Sequence, residues 1–70
     1  MEYFERIRQL REDLDLRQKD LGKQVNMSQR KISNIEVGKS EPSIGDIKAL
    51  CKFFDVSSDY LLGLTDDPKK

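Results

Sequence analysis

Two short apolar periodicities that follow each other closely constrain the fold of this chain more than any other feature. Leu21 and Val25 lie four residues apart, and Ile32 and Ile35 lie three apart, which are the spacings of residues on one face of a helix. Only six residues separate the two pairs. The sequence therefore predicts two short helices joined by a tight turn, over roughly Gln18 to Val37.

Local signals mark where these two helices end and begin. Asn26 follows Val25, at a position where a residue in the left-handed conformation often ends a helix. Ser28 offers a side-chain oxygen to the first free amide groups of the next helix, and Gly38 stands where that helix is expected to end. These signals place a tight turn between the two helices.

A first helix is predicted upstream, from about Tyr3 to Leu14. Its apolar stripe recurs at spacings of three and four residues and consists of Phe4, Ile7, Leu10 and Leu14. Asp15 is expected to end this helix in a turn, because aspartate tolerates the left-handed backbone better than most residues.

Two further helices are predicted downstream. Ser43 caps the fourth helix, with Asp46 three residues on as a capping box in which aspartate replaces glutamate. Ser57 begins a short fifth helix that Gly63 closes. We therefore expect an all-α, compact five-helix bundle, with one domain over residues 1–64 and a flexible polar tail over 65–70. The buried face of the fourth helix is expected to consist of Ile44, Ile47, Leu50, Cys51 and Phe54.

The residue inventory argues against catalysis and against a bound cofactor. The 70 residues include no histidine and one cysteine, which removes the commonest general base and leaves too few ligands for a structural zinc site. The sequence also has no glycine-rich phosphate loop and no nucleophile elbow. We expect no enzyme activity, no metal, no cofactor and no small-molecule ligand. Cys51, which lies among Leu50, Phe53 and Phe54, is expected to be a buried, unreactive thiol.

The sequence gives no sign of a membrane segment. No apolar run approaches the roughly 20 residues that cross a bilayer. The chain opens with Met1-Glu2-Tyr3 rather than with a basic and then apolar leader. We expect a soluble cytoplasmic protein with no membrane partner.

Charge is distributed unevenly along the chain. Its 13 basic and 13 acidic residues give a net charge of zero, although lysine and arginine are what drives the binding of phosphates. From Arg17 to Lys39, however, six basic and two acidic residues give a net charge of +4, so the remainder carries −4. This split favours one basic face on an acidic body, with a solvated mixture of charges as the alternative.

The helix that carries Ile32 and Ile35 has the chemistry of base recognition on its other side. With both isoleucines inward, its outward face consists of Gln29, Arg30, Ser33, Asn34 and Val37. Glutamine and asparagine can pair with adenine through two hydrogen bonds, and arginine can pair likewise with guanine. The alternative is a merely solvated helix, which more often carries glutamate and lysine in salt-bridging pairs.

Motifs along most of the chain occur in a characteristic order and spacing. They are Arg11, Gln18-Lys-Asp-Leu-Gly-Lys-Gln-Val, Ser28-Gln-Arg-Lys-Ile-Ser-Asn-Ile-Glu36, Gly38-Lys39, Pro42-Ser43 and Val56-Ser-Ser-Asp-Tyr-Leu-Leu-Gly63. In this arrangement the chain from Phe4 to Gly63 resembles the Cro and phage-repressor class of helix-turn-helix proteins, the XRE family. The resemblance implies a lambda-repressor-like DNA-binding bundle whose second and third helices form the helix-turn-helix.

The resemblance also implies which residues contact double-stranded DNA. Gln18 matches the glutamine that starts the second helix, bonds a phosphate and braces the residue matching Gln29, which reads a base. The other positions that face base edges or nearby phosphates are Arg30, Ser33 and Asn34. The further positions near the sugar-phosphate backbone are Arg17, Ser28, Lys39 and Ser40.

Two structural roles follow from the same resemblance. Glu36 matches a glutamate that pairs with an arginine of the first helix, here Arg11, and we expect this ion pair to tie helices together, with Arg11 also near the DNA backbone. The geometry of such a pair matters more than its net energy, because burial costs hydration. Gly22 stands where small residues let the two helices approach closely.

Several positions depart from the family pattern. Asp15 and Asn26 stand where the family commonly has glycine, and both accept a positive φ with slight strain. Arg17 cannot accept an amide proton at the start of the second helix, so we expect that start to depend on Gln18 or on a phosphate. Glu41 is expected to weaken DNA binding a little.

Two functions are compatible with these residues. The first is a transcriptional repressor that binds an inverted-repeat operator as a homodimer, with recognition helices about 34 Å apart in the major groove. The second is a protein-interaction module of the same fold for another regulator or a toxin-like partner, which the zero net charge favours. Leu61 and Leu62 either contribute to the dimer or complete the core. The candidate dimer surface consists of Tyr60, Leu61, Leu62 and Leu64.

Overall fold

Five α-helices account for the segments with helical periodicity. A computed structural model describes residues 2–69, and its helices are α1 (Tyr3–Asp13), α2 (Gln18–Val25), α3 (Gln29–Glu36), α4 (Ile44–Phe54) and α5 (Ser58–Leu61). This part of the chain contains no strand. The predicted all-helical, five-helix architecture is therefore confirmed. None of the described helices is long and apolar enough to cross a membrane.

Serine hydroxyls fix the starts of α3, α4 and α5. Ser28, Ser43 and Ser57 each accept the backbone N–H three residues later at 3.1 Å. These amide groups have no partner inside their helix, so each serine satisfies a donor that would otherwise need water. At α4 the carboxylate of Asp46 also accepts the N–H of Ser43 at 3.0 Å, which completes the predicted capping box.

Residues in the left-handed backbone conformation lie at the C-terminal ends of α1, α2 and α4. Asp15 and Asn26 have φ angles of 56° and 58°, as expected at these two positions. Asp55, with a φ of 58°, is the C-cap of α4. That left-handed turn was not predicted. A short side chain that tolerates this conformation thus replaces glycine at all three helix ends.

The core lies where all five helices meet. Every helix contributes at least one fully or almost fully buried apolar side chain, and the set consists of Ile7, Leu21, Val25, Ile32, Ile35, Leu50, Val56 and Leu61. The prediction that Ile44 is buried is wrong, since it is 75% exposed, and Leu14, the last residue of the apolar stripe of α1, is 54% exposed. Leu14 is the C-cap of α1 and Ile44 is the first residue of α4. The apolar spacing continues to these helix ends, but no neighbouring element covers the two side chains.

The cysteine is less deeply buried than predicted. Cys51 is half-buried and packs against the core. Its partial burial raises the pKa of the thiol. A raised pKa lowers the thiolate fraction at neutral pH, which is consistent with an unreactive side chain.

The segment after α5 contacts the folded body. The guanidinium of Arg6, a buried side chain, lies 3.9 Å from the centroid of the Tyr60 ring and donates to Asp66 Oδ1 at 3.1 Å. The N–H of Ser57 donates to the carbonyl oxygen of Pro68 at 3.3 Å. Flexibility of residues 65–70 stays a prediction. Met1 and Lys70, the outermost residues of the predicted domain and tail, lie outside the described residues.

Candidate nucleic-acid interface

The joint between α2 and α3 is tight because a glycine and a left-handed residue meet there. Asn26 ends α2, and the N–H of Met27 donates to the carbonyl oxygen of Gly22 at 2.8 Å. A Cβ atom on Gly22 would overlap the carbonyl oxygen of Met27. The close approach expected at Gly22 is present, and it sets the angle at which α3 follows α2.

A second glycine fixes the other end of α3. Gly38 has a φ of 76° and packs against the ring of Phe4. Beyond it, the N–H groups of Lys39 and Ser40 donate to the carbonyl oxygen of Asn34 at 2.9 and 3.2 Å. Lys39 and Ser40, two predicted backbone-contacting residues, are therefore held beside the last turn of α3.

The outward face of α3 is open. Gln29 and Arg30 are exposed, and Ser33 and Asn34 are half-buried. Within residues 2–69 these four side chains make no hydrogen bond and no ion pair. The isoleucines of α3 lie buried on its other side. The predicted base-reading side chains thus share one face, and their donors and acceptors are available to a ligand.

Behind this face, Arg11 and Glu36 form the predicted ion pair. Arg11 Nε donates to Glu36 Oε2 at 2.7 Å, and Arg11 Nη2 donates to Glu36 Oε1 at 2.9 Å. Arg11 Nη1 also donates to the carbonyl oxygen of Leu16 at 2.7 Å. The hydrogen bond to Glu36 raises the pKa of the guanidinium although its partial burial acts in the opposite direction. The pair joins α1, the loop before α2 and the last residue of α3.

Gln18 contacts this pair rather than Gln29. Its Nε2 atom donates to Glu36 Oε1 at 3.2 Å. The hydrogen bond to Gln29 that the resemblance implied is not formed within the described chain. The physical reason is that a charged, nearly buried carboxylate within reach is a stronger acceptor than a neutral amide. This contact between Gln18 and Glu36 had no signal in the sequence, because the two residues lie on different helices.

An acidic residue in the first turn of α2 binds the residue that precedes the helix. The carboxylate of Asp20 accepts the backbone N–H of Arg17 at 3.1 Å and its guanidinium Nε–H at 2.8 Å. The hydrogen bond from the Arg17 side chain lowers the pKa of Asp20. No side chain accepts the free N–H groups of this first turn within the described residues, so the expectation that the helix start depends on Gln18 or on a phosphate stays a prediction. Asp20 stands three residues after the N-cap, so the capping-box spacing could have identified it.

Two of the six basic residues between positions 17 and 39 are engaged by acids. Arg17 is paired as described, and Lys31 Nζ lies 3.0 Å from the carboxylate of Asp46. Burial alone would raise the pKa of Asp46, but the hydrogen bonds from the Ser43 backbone and from Lys31 lower it. The basic side chains of this segment that form no ion pair within residues 2–69 are Lys19, Lys23, Arg30 and Lys39.

The four residues of the candidate dimer surface differ in exposure. Leu61 is fully buried, so it completes the core, which was one of the two alternatives for this residue. Tyr60 and Leu62 are half-buried, and Leu64 is 74% exposed. Among the four, Leu64 therefore presents the most apolar surface to a partner.

Comparison with known proteins finds a family, relatives and solved structures that match this chain. The sequence model of a helix-turn-helix family matches residues 7–61. The matched range extends from the buried Ile7 of α1 to the buried Leu61 of α5, so it includes the core and the α2–α3 joint.

Two curated relatives are transcriptional regulators. The HTH-type transcriptional regulator YobD of Bacillus subtilis (strain 168) is 35% identical over 66 residues, or 94% of this chain. The HTH-type transcriptional activator BcrR of Enterococcus faecalis is 40% identical over 62 residues, or 89% of this chain. The alignments cover 59% of YobD and 30% of BcrR, so this chain corresponds to part of each relative.

A solved structure has the same fold over nearly its whole length. It is the crystal structure of the P22 c2 repressor protein in complex with synthetic operator 9T, which matches with a TM-score of 0.84 and 42% sequence identity. The match covers 89% of this chain and 94% of that chain. The five helices thus have the arrangement of a phage-repressor DNA-binding domain.

Proposed function

This chain belongs to the helix-turn-helix family, and from that membership we propose that it binds double-stranded DNA sequence-specifically, with α3 in the major groove. The observation that carries the proposal is the open polar face of α3. Gln29, Arg30, Ser33 and Asn34 lie together there without partners in the described chain. Base edges in the major groove present donors and acceptors that match amide, guanidinium and hydroxyl groups.

Contacts to phosphates orient α3 in this proposal. Lys39 and Ser40 lie at the C-terminal end of α3, and Gln18 lies at the start of α2. Ser28 already uses its hydroxyl as a helix cap, so its contact is expected to come from other atoms of the residue. Arg17 keeps unused N–H groups while it pairs with Asp20, and an exposed pair of this kind costs little to rearrange.

We propose a homodimer on an inverted repeat as the DNA-bound form. A single small module buries only about 600 to 1,000 Å² of protein surface on DNA, which limits both affinity and specificity. Two copies whose recognition helices lie about 34 Å apart would double that contact and read two half-sites. The proposed dimer surface consists of Tyr60, Leu62 and Leu64, and the buried Leu61 is left out of it.

Repression is the regulatory action that we propose. Occupying an operator requires no contact beyond the DNA-binding surface, whereas activation requires a second surface for the transcription machinery. The structural neighbour bound to its operator is a repressor. The curated relatives include an activator, so the regulatory action is a property to be tested on the whole protein.

The decisive experiment is an in-vitro selection of duplexes from a random library, with the purified 70-residue chain at moderate salt. An enriched inverted repeat with half-sites about 10 base pairs apart is the expected result. If the folded chain enriches no motif, the proposal is refuted. The protein-interaction module then becomes the better explanation of a chain with zero net charge.

A matched pair of variants tests the role of α3 directly. Gln29→Ala/Arg30→Ala is expected to lose sequence preference while it keeps the fold, at roughly 1 to 3 kcal/mol for each good base contact. Gln9→Ala/Lys52→Ala removes the same amide and the same charge from exposed positions on α1 and α4, and it is expected to bind like the wild type. Fluorescence anisotropy on the selected duplex measures both. Equal binding by the two variants would contradict base reading by α3.

A further inference from the structure

We infer that Glu36 is a positioning residue for DNA binding, because it takes one N–H of the Gln18 side chain and so leaves the second N–H as the donor for a DNA phosphate. This inference rests on the proposed function. It gives the Arg11–Glu36 pair a role beyond tying helices together. Glu36 itself is buried, so its carboxylate is not available for a direct contact with DNA.

The inference begins with the contact between Gln18 and Glu36. Gln18 is the first residue of α2 and is half-buried, while Glu36 is the last residue of α3. The Nε2–Oε1 distance of 3.2 Å is that of a hydrogen bond. It is the one hydrogen bond that the Gln18 side chain makes within the described residues.

The charge of Glu36 determines which end of the Gln18 amide faces it. An ionised carboxylate can only accept hydrogen bonds, so Gln18 must turn its NH₂ group, and not its carbonyl oxygen, toward Glu36. The NH₂ group has two hydrogens, and the second remains for another acceptor. A phosphate is also only an acceptor, so this remaining N–H is the group that Gln18 can offer to it. Without Glu36, the amide could rotate by 180° and present its carbonyl oxygen, which a phosphate repels.

Glu36 can orient Gln18 because Glu36 is held in place itself. Arg11 donates two hydrogen bonds to it, at 2.7 and 2.9 Å, and a third to the carbonyl oxygen of Leu16 at 2.7 Å. The side chain of Glu36 is 2% exposed, so water does not compete for its oxygens. The orientation of Gln18 is therefore set by a fixed carboxylate before DNA arrives.

The test locates the phosphate that Gln18 contacts and asks whether Glu36 is needed for that contact. Operator duplexes from the selection carry single methylphosphonates, stepped along the backbone. The Gln18 phosphate is the one whose replacement weakens wild-type binding about tenfold and weakens Gln18→Ala no further. Arg11→Met/Glu36→Leu then removes the acceptor, and it is expected to fold, because replacing both members of a buried pair by apolar residues is often neutral or stabilising.

Two results separate the inference from a purely structural role. If Glu36 orients Gln18, Arg11→Met/Glu36→Leu binds the unmodified operator about tenfold more weakly, and the methylphosphonate at the Gln18 position weakens it no further. If this variant binds as the wild type does to both duplexes, the inference is overturned while the proposed function stands. A wild type that enriches no sequence overturns both. Asp20→Asn, which alters the same helix start without touching Glu36, should keep the methylphosphonate effect.

A second measurement needs no variant of the buried pair. In the NMR spectrum of the free wild-type chain, one of the two Hε2 protons of Gln18 should be shifted by its bond to Glu36. Addition of the operator should then shift the other proton. Two Hε2 protons with the chemical shifts of a solvent-exposed glutamine in the free chain would contradict the inference.

Discussion

Two arginine–carboxylate pairs in this domain have nearly the same geometry and opposite surroundings. Arg11 and Glu36 form hydrogen bonds of 2.7 and 2.9 Å, with side chains that are 11% and 2% exposed. Arg17 and Asp20 form hydrogen bonds of 2.8 and 3.2 Å, with side chains that are 70% and 30% exposed. Distance alone would rank them as equals. Water competes with the exposed pair, whereas removing one partner of the buried pair leaves an uncompensated charge.

The largest expected effect comes from breaking the buried pair on one side. Glu36→Ala should lower the free energy of unfolding by about 3 to 5 kcal/mol, because Arg11 is left buried without its partner. A small domain has only about 5 to 15 kcal/mol in total. Urea denaturation at neutral pH measures the loss. Asp20→Ala is the control at the exposed pair and should lose much less, so equal losses would show that burial does not separate the two pairs.

A smaller effect is expected when the positive charge at position 11 is kept but the planar guanidinium, with its paired N–H donors, is replaced. Arg11→Lys should cost about 1 to 2 kcal/mol in free energy of unfolding, because an ammonium cannot make two parallel bonds to Glu36 and a third to Leu16. Arg17→Lys, the matched change at the exposed pair, should have no measurable effect. The same urea titration compares them. If Arg11→Lys unfolds at the wild-type midpoint, positive charge alone accounts for the buried pair.

The smallest effect is expected in the pH dependence of the exposed pair. The hydrogen bond from Arg17 lowers the pKa of Asp20 in the folded chain. A lowered folded-state pKa means that this stabilisation is present above the unfolded-state pKa of about 3.9 and is lost as the pH falls through the folded-state value. The difference in unfolding free energy between wild type and Asp20→Asn should therefore be constant from pH 7 to pH 5 and shrink below about pH 4. A difference that persists unchanged at pH 2 would assign the effect to something other than ionised Asp20.

The helices could be predicted from the sequence because their signals are local. Apolar spacing identified α1 to α4, Ser57 and Gly63 identified α5, and Ser28, Ser43 and Ser57 marked three of the helix starts. The exposure of Leu14 and Ile44 could not be predicted in the same way. Periodicity identifies the apolar face of a helix, but whether another element covers each end of that face depends on the packing of the whole chain.

In the candidate site, too, some features have a sequence signal and others do not. The open face of α3 follows from spacing, because two inward isoleucines fix which side chains point outward. The Arg11–Glu36 pair followed from the family resemblance. The contact between Gln18 and Glu36 spans 18 residues, and the pairing of Lys31 with Asp46 spans 15 residues. Neither contact has a sequence pattern, since both depend on the angles between helices.

The joint between α2 and α3 has a consequence for how descendants of this chain can acquire new target sites. Gly22 has no room for even a methyl group against the Met27 carbonyl, so a larger residue at this position would force α2 and α3 apart. The outward side chains of α3 make no hydrogen bond or ion pair within the described chain, so substitutions there are expected to cost the fold little. For the base reading that we propose for α3, changes in sequence preference are therefore expected from substitutions on its outward face, while Gly22 keeps the approach of α3 to α2 unchanged.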